Sequence, residues 1–122
     1  MNETYFFDSY ALYEIIKGNN NYQKYASSNV ITTKLNLFEL FYSLLRDNNE
    51  NLGLVSLFKY LFCAIDFNSE IIIKAAKFKL LNKKKGVSMT DSIGYIMADK
   101  LQIKFLTGDK EFENIENVEF VK

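Results

Sequence analysis

Short apolar runs alternate along the chain with longer stretches in which apolar residues recur at helical spacing. The short runs predict strands at Tyr5–Asp8, Val30–Thr33, Ala64–Phe67, Ile103–Thr107 and Val118–Val121. The longer stretches predict helices at Ser9–Lys17, Lys34–Arg46, Leu52–Cys63, Glu70–Lys84 and Ser88–Leu101, with shorter helical pieces at Gln23–Ser27 and Asp109–Phe112. This alternation is typical of an α/β fold in which helices cover both faces of a parallel sheet.

Length and composition favour a single domain spanning residues 1–122. Hydrophobic residues make up 48% of the 122 residues and aromatic residues 16%, which is enough for one continuous core. The apolar runs are shorter than a membrane span, and the N-terminal sequence does not resemble a signal peptide. The single cysteine, Cys63, lies in an apolar segment, where we expect a buried, inert thiol. We therefore expect a cytoplasmic protein without a membrane partner.

Charge and the absence of histidine narrow the possible chemistry. The 15 basic and 15 acidic residues balance, so no strongly basic surface for duplex DNA is expected. Without histidine, the chain has no His-based acid–base pair, no Ser–His or Cys–His nucleophile and no ordinary zinc site. A metal site in this chain would use oxygen ligands, which select hard cations such as Mg²⁺ or Mn²⁺.

Four acidic residues occupy positions where a parallel sheet forms its ligand site, or lie on a helix beside that edge. They are Asp8, Glu39, Asp91 and Asp109. Asp8 ends the first predicted strand, and Asp109 follows another strand after Gly108. Ligands in such sheets bind beyond the carboxyl ends of the strands. Carboxylates brought together there repel each other by roughly 1–4 kcal/mol per close pair, so their convergence would imply a cation among them.

Each acid also has a purely structural interpretation. Asp8 and Asp109 each precede a predicted helical segment and could cap it, and Asp91 stands in a Ser88-x-x-Asp91 capping box. Glu39 lies on a narrow polar stripe of an otherwise apolar helix, which could be a solvated edge. The stripe consists of Asn36, Glu39, Ser43 and Arg46.

Two helices carry specific packing expectations. The apolar residues of the Lys34–Arg46 helix cover most of its circumference, so we expect it to be mostly buried. In the Ser88–Leu101 helix, Gly94 and Ala98 share a face with Asp91. These small residues predict a close approach to a neighbouring element, which would hold Asp91 against the sheet edge.

Four segments together resemble the PIN-domain nucleases, most closely the short VapC-type ribonuclease toxins. The segments are FFDSYALYEIIK, NLFELFYSLLR, GVSMTDSIGYIMADKL and FLTGDKEF, and the last two in tandem are the most specific. The resemblance covers almost the whole chain. It implies a three-layer α/β/α sandwich with a central parallel sheet and an acidic site that binds Mg²⁺ or Mn²⁺.

The resemblance also assigns roles residue by residue. It implies that Asp8, Glu39, Asp91 and Asp109 form the catalytic set, with Asp8, Asp91 and Asp109 as metal ligands. Glu39 would either ligate the metal or orient the attacking water. Supporting polar residues at the same edge are Ser9, Thr107 and Glu111. Ser92 departs mildly from the family pattern, in which alanine is common at that position.

The activity implied is metal-dependent hydrolysis of RNA phosphodiester bonds by the toxin of a type II toxin–antitoxin pair. An antitoxin protein and a second copy of the chain are the expected partners. Two alternatives within the same fold are a non-catalytic interaction module and a housekeeping RNA-processing nuclease. A metal-dependent phosphatase is disfavoured, because Tyr10 stands where that chemistry often has a second aspartate after Asp8.

Two groups of surface candidates remain open from the sequence. The first is a lysine cluster, which either attracts RNA or complements the C-terminal dipole of a helix: Lys79, Lys83, Lys84 and Lys85. The second is a set of aromatic residues, which form either a dimer face or antitoxin groove or part of the core: Tyr10, Tyr13, Phe58, Tyr60 and Phe62. The single arginine, Arg46, lies at the far end of its helix from the predicted site.

Overall fold

A computed structural model describes residues 2–122. Within these residues the strands are β1 (Thr4–Phe7), β2 (Asn29–Ile31), β3 (Lys104–Thr107) and β4 (Val118–Phe120). The α-helices are α1 (Ser9–Lys17), α2 (Lys34–Arg46), α3 (Glu50–Tyr60), α4 (Ser69–Leu81) and α5 (Met89–Lys100). Short 3-10 turns lie at Asn20–Tyr25, Leu61–Cys63, Lys83–Lys85 and Lys110–Phe112.

The four strands form one parallel sheet in the order β2-β1-β3-β4. Because side chains alternate along a strand, β1 sends Phe6 and Phe7 to opposite faces. Phe6 packs in one core with Phe105, whereas Phe7 packs in a second core with Leu106. Helices α1 and α2 cover the second core, and α4 and α5 cover the first. The predicted three-layer α/β/α sandwich with a central parallel sheet is confirmed.

The predicted strand Ala64–Phe67 is wrong. Only an isolated bridge joins Thr32 to Ala64. The Ile65 N–H donates to the Thr32 carbonyl at 2.9 Å, and the Thr32 N–H donates to the Cys63 carbonyl at 3.0 Å. The bridge thus lies in the short connection between the 3-10 turn that ends at Cys63 and Asn68, which caps α4.

Several predicted helix boundaries also shift. Helix α3 begins at Glu50, because the side chain of Asn49 caps it, and it gives way to a 3-10 turn after Tyr60. Helix α4 ends at Leu81, so the lysines that follow lie in a separate turn. The short helix predicted at Gln23–Ser27 overlaps the 3-10 segment Asn20–Tyr25 only up to Tyr25, and its last two residues form a turn.

Helix α5 lies directly against the centre of the sheet. A Cβ atom added to Gly94 would stand 2.6 Å from Phe6 Cε1 and 3.1 Å from Phe105 Cε1. Glycine at this position lets the helix axis approach β1 and β3 more closely than any other residue would. The close approach predicted from Gly94 and Ala98 is confirmed, and it places the first turn of α5 beside the carboxyl edge of the sheet.

Helix α2 is less buried than its sequence predicts. Leu37, Leu40 and Leu44 enter the core, but Phe38 is 73% exposed and Tyr42 is 56% exposed. The expectation that α2 is mostly buried was therefore wrong. The core and α3 cover only part of its circumference, and the two aromatic side chains lie outside that part.

The sequence also predicted a buried thiol at Cys63 and apolar runs too short to span a membrane. Cys63 is half-buried rather than buried, and burial raises the pKa of its thiol, which keeps it protonated at neutral pH. In the part of the chain that the structure describes, every helix is too short or too polar to cross a bilayer.

Candidate active site

Asp8 lies where the two central strands end. It directly follows β1, caps α1, and is only 1% exposed. The Ala11 N–H donates to Asp8 Oδ1 at 2.8 Å, and the Thr107 hydroxyl donates to Asp8 Oδ2. The capping interpretation of Asp8 is therefore correct, and it does not compete with a role in the site, because the cap also fixes the carboxylate at the sheet edge.

Asp91 and Asp109 approach this edge from two other elements. Asp91 lies in the first turn of α5, where the Ser88 hydroxyl accepts its backbone N–H at 3.1 Å, and it is 8% exposed. Burial raises the pKa of its carboxyl group, followed by the charges of Asp8 and Asp109, which indicates that the three carboxyl groups are near one another. Within the described chain the side chain of Asp109 makes no capping hydrogen bond, so its capping interpretation is wrong. Its backbone N–H instead donates to the Thr107 hydroxyl at 3.0 Å.

Glu39 lies on α2, and its orientation is set by a chain of hydrogen-bonded polar residues. The Ser9 hydroxyl donates to Glu39 Oε1 at 2.7 Å. Asn36 Nδ2 donates to the Ser9 hydroxyl at 3.2 Å, and Asn36 Oδ1 accepts from the Thr33 hydroxyl at 2.6 Å. This chain runs from the end of β2 through α2 to α1, and it explains how the conformation of Glu39 is held.

Asn36 is the site-related residue that the sequence did not identify. The sequence placed it on a solvated stripe, but the structure buries it completely. The available signal was its position one turn before Glu39 on the same helix face. An amide with no exposure must satisfy its hydrogen bonds inside the protein, and Asn36 does so through Ser9 and Thr33.

The carboxyl groups at this edge are hard to ionise together. Burial is the largest cause that raises the pKa of Asp8 to about 7, and the charges of Asp109 and Glu39 add to it against the hydrogen bonds from Thr107 and Ala11. Burial also raises the pKa of Asp91 to about 8, followed by the charges of Asp8 and Asp109. The neighbouring acids are thus close enough to Asp8 and Asp91 to contribute to the raised pKa of these two residues.

The donor chemistry of the site fits a hard divalent cation. All four side chains offer carboxylate oxygens, which are the ligands that Mg²⁺ and Mn²⁺ prefer. Among residues 2–122, however, no three acidic, cysteine or histidine side chains are arranged to enclose an ion as they stand. The pKa values of Asp8 and Asp91 are raised first by burial and then by the charges of neighbouring acids, and a bound cation would offset both effects.

Two further predictions concern Glu111 and the lysine cluster. Glu111 follows Asp109 in the Lys110–Phe112 turn, and its Oε2 atom is buried without a hydrogen-bond partner in the described residues. Lys79 is used structurally, because its Nζ donates to the Val87 carbonyl at 2.6 Å. The other lysines of the predicted cluster are exposed: Lys83, Lys84 and Lys85.

The predicted aromatic surface separates into three environments. Tyr60 is 6% exposed and belongs to the core. Phe58 is 62% exposed on α3 and Phe62 is 95% exposed just after it. Tyr10 and Tyr13 are half-buried and line a groove between α1 and α2.

Comparison with solved structures shows that this architecture is shared with proteins of low sequence identity. VapC20 of Mycobacterium tuberculosis, a sarcin–ricin loop cleaving toxin, superposes with a TM-score of 0.77 at 15% identity, covering 96% of this chain and 98% of its own. A chain of a toxin–antitoxin complex from Klebsiella pneumoniae superposes with a TM-score of 0.74 at 16% identity. The match covers 94% of this chain and 95% of the other. A chain of VapBC2 from Rickettsia felis, bound to a promoter DNA fragment, superposes with a TM-score of 0.73 at 17% identity. The match covers 98% of this chain and 99% of the other.

These likenesses establish the fold. No curated protein sequence matches the chain at a significant level. The family model described as the PIN domain, in contrast, matches residues 5–118, which include all four acids of the site. The chain therefore belongs to the PIN domain family.

Proposed function

We propose that this PIN domain is an endoribonuclease that hydrolyses RNA phosphodiester bonds with the help of Mg²⁺ or Mn²⁺. The observation that supports this most strongly is that the Thr107 hydroxyl joins Asp8 to the backbone of Asp109 beyond the ends of β1 and β3. Burial and the charges of Asp8, Asp109 and Glu39 raise the pKa of Asp91, which supports the presence of a fourth acid nearby. Buried like charges destabilise a fold unless a counter-charge binds. Their retention at the ligand edge of a parallel sheet is typical of a cation-dependent site.

The residues divide into two roles. Asp8, Asp91 and Asp109 would hold the cation, and Thr107 would keep Asp8 in place through its hydroxyl. When bound, the divalent cation supplies positive charge against the phosphate oxygens and makes water more acidic. Glu39 has one oxygen fixed by Ser9, which leaves the other free to accept a proton from the attacking water.

In-line attack by that water forms the new bond to phosphorus and breaks the bond to the 3′-oxygen, which takes up a proton from solvent as it leaves. The products are a 5′-phosphate and a 3′-hydroxyl. Because Asp8 and Asp91 are buried at the edge of the sheet, the target phosphate must be accessible enough to approach them, as it is in single-stranded loops.

Cleavage of single-stranded RNA by the purified protein tests this activity. We expect cleavage with Mg²⁺ or Mn²⁺, and none with EDTA or with Asp91→Asn. The matched control is Asp99→Asn, since Asp99 lies on the same helix but is exposed at its far end. Cleavage that persists in EDTA and in Asp91→Asn would overturn the proposal. Metal binding without any cleavage would instead favour a non-catalytic interaction module.

We infer in addition that the chain is the toxin of a type II pair, with an antitoxin protein as its partner. The support is the likeness to a Klebsiella pneumoniae toxin–antitoxin complex and to Rickettsia felis VapBC2. Induced expression should arrest growth, and co-expression of the neighbouring reading frame should restore it. Normal growth on induction of an active nuclease would favour a housekeeping role in RNA processing.

We also infer that the chain forms a homodimer. The exposed apolar side of α3 supports this, because Val55 is 65% exposed and Phe58 is 62% exposed. Sedimentation of the wild type as a dimer, and of Val55→Asp with Phe58→Asp as a folded monomer, is the expected result. A wild type that sediments as a monomer at all accessible concentrations would contradict it.

A further inference from the structure

A groove leads away from the acidic site between α1 and α2. It has a volume of about 510 Å³, within the range of pockets that hold small ligands. Ser9 and Glu39 lie at one end of it and Arg46 lies at the other. A polymer bound over Glu39 would therefore continue through this groove along the surface of α2.

The wall of this groove formed by α2 is aromatic. Phe38 and Tyr42 are 73% and 56% exposed, and they lie one helical turn apart on the same side of α2. Tyr10 and Tyr13 line the opposite wall from α1. Exposed aromatic faces at regular spacing next to a charged site suit the planar faces of unpaired nucleobases.

The far end of the groove carries the single arginine of the chain. The guanidinium carbon of Arg46 lies 5.8 Å from the centroid of the Tyr42 ring. Among the described residues no carboxylate lies within ion-pair distance of Arg46, whereas neighbouring Lys17 lies 4.0 Å from Asp47. Its planar donors are thus available for a phosphate group.

The order of the groups along the groove favours single-stranded RNA over a protein segment. Glu39 lies at one end, beside the site proposed to bind a cation, aromatic side chains lie in the middle, and Arg46 lies at the other end. A single strand presents phosphate, base and phosphate in the same order. Glu14 also lines the groove and would repel a phosphate near α1, which places the second phosphate towards Arg46.

We propose that this groove binds the nucleotides beside the scissile phosphate, with bases stacked on Phe38 and Tyr42 and a phosphate held by Arg46. The inference rests on the proposed nuclease function and adds the determinants of substrate binding to it. It also gives the exposed aromatic residues of α2 a role that core packing does not provide.

Binding of a short single-stranded RNA, measured by fluorescence anisotropy in the non-cleaving Asp91→Asn background, tests this. Phe38→Ala and Tyr42→Ala should each raise the Kd by about fivefold or more, as loss of a stacked base does. Arg46→Ala should reduce the slope of log K against log salt by about 0.7, the value for one phosphate contact on a single strand. The control is Phe62→Ala, which removes an exposed aromatic residue outside the groove and should change neither quantity.

Abasic RNAs provide the second half of the test. If Phe38 and Tyr42 stack on bases, the increase in Kd caused by Phe38→Ala or Tyr42→Ala should vanish on RNA that lacks the corresponding base. The proposal would be overturned if these two variants raised the Kd no more than Phe62→Ala does. It would also be overturned if the increase in Kd persisted on every abasic RNA. Variants that bind RNA normally but lose the antitoxin would overturn it as well, since the groove would then dock a protein.

The outcome for the groove can be separated from the outcome for the activity. Normal RNA binding by the groove variants, together with cleavage that still requires the cation and Asp91, would remove only this inference. A wild type that neither binds nor cleaves RNA would remove both proposals.

Discussion

Asp91 combines burial with proximity to other acids, so its charge is costly in the absence of a cation. At pH 8 without metal, Asp91→Asn should raise the free energy of unfolding by roughly 1–3 kcal/mol, since it removes a buried charge whose pKa is raised to about 8. The same variant should lose cation-dependent cleavage. Urea denaturation in EDTA measures the first effect. The difference should shrink as the pH falls and disappear below about pH 4, where the aspartic acid is neutral in the folded protein and in the unfolded chain, as asparagine is.

Ser9 acts on Glu39 rather than on the substrate, so its removal should affect rate more than stability. We expect Ser9→Ala to lower kcat by about 10–100-fold, because Glu39 Oε1 loses the hydroxyl that holds it. Ser9→Thr keeps that hydroxyl and should restore most of the rate. Ser27→Ala, at an exposed serine, is the control. A merely structural role for Ser9 would lower the thermal midpoint while kcat per folded molecule stayed unchanged.

Asn36 acts on Glu39 through Ser9, so its removal should also lower the rate. Asn36→Leu leaves Ser9 without its donor and Thr33 without its acceptor, so both stability and rate should fall. The loss of stability should be about 1–3 kcal/mol, as expected for unpaired buried polar groups. Chemical denaturation together with single-turnover cleavage would separate the two losses. An unchanged rate would show that Glu39 keeps its orientation without the chain.

At the scale of elements, the contact between α5 and the sheet depends on Gly94. Gly94→Ala would bring a methyl group to 2.6 Å from Phe6 Cε1 and 2.9 Å from Phe6 Cζ, inside a packed core. Overpacking of this kind costs about 1–3 kcal/mol and outweighs the gain in helix propensity of about 1 kcal/mol. Urea denaturation should therefore show a net loss of stability.

Gly53→Ala is the matched control for this contact. Its added methyl would meet the ring edge of Phe41 at 3.0 Å, and this half-buried side chain can move. We expect little loss or a small gain in stability there. If both variants behaved alike, the close packing of α5 on the sheet would not be what glycine provides at position 94.

How well each helix or strand could be predicted depended on the signals in its own part of the sequence. Helix α1 was correctly bounded because Asp8 caps it and Gly18 ends it, and both are visible in the sequence. The strand predicted at Ala64–Phe67 failed because apolar character alone does not reveal that only Ala64 has a pairing partner. Helix α2 was misjudged because its apolar residues do not indicate which of them face the core and which face an open groove.

At the scale of the whole molecule, the parallel topology made the candidate site predictable. Asp8 and Thr107 end adjacent strands, so their meeting follows from the pairing of β1 with β3. The polar chain through Asn36 was not predictable in the same way, because it depends on the packing of α2 against α1. The relation of Arg46 to the groove depends on that same packing.

The stability of the metal-free protein should fall as pH rises. The folded state raises the pKa of Asp8 to about 7 and that of Asp91 to about 8, above the ordinary aspartate value of 3.8. Between pH 4 and pH 8 the folded protein thus binds more protons than the unfolded chain, and stability decreases with pH in this window. In EDTA the Tm should drop by roughly 10 °C from pH 5 to pH 8, corresponding to a loss on the order of 3 kcal/mol.

Divalent cations should reverse this loss where the carboxylates are ionised. Mg²⁺ or Mn²⁺ binds the folded state and stabilises it in proportion to RT ln(1 + [L]/Kd), so the Tm should recover at pH 8 and change little at pH 5. Calorimetric scans at both pH values, with and without the cation, measure the difference. Asp91→Asn should flatten the pH dependence and weaken the response to the cation. A wild-type Tm that is independent of pH in EDTA would show that Asp8 and Asp91 do not repel each other in the folded protein, and the electrostatic basis for a cation at this edge would be lost.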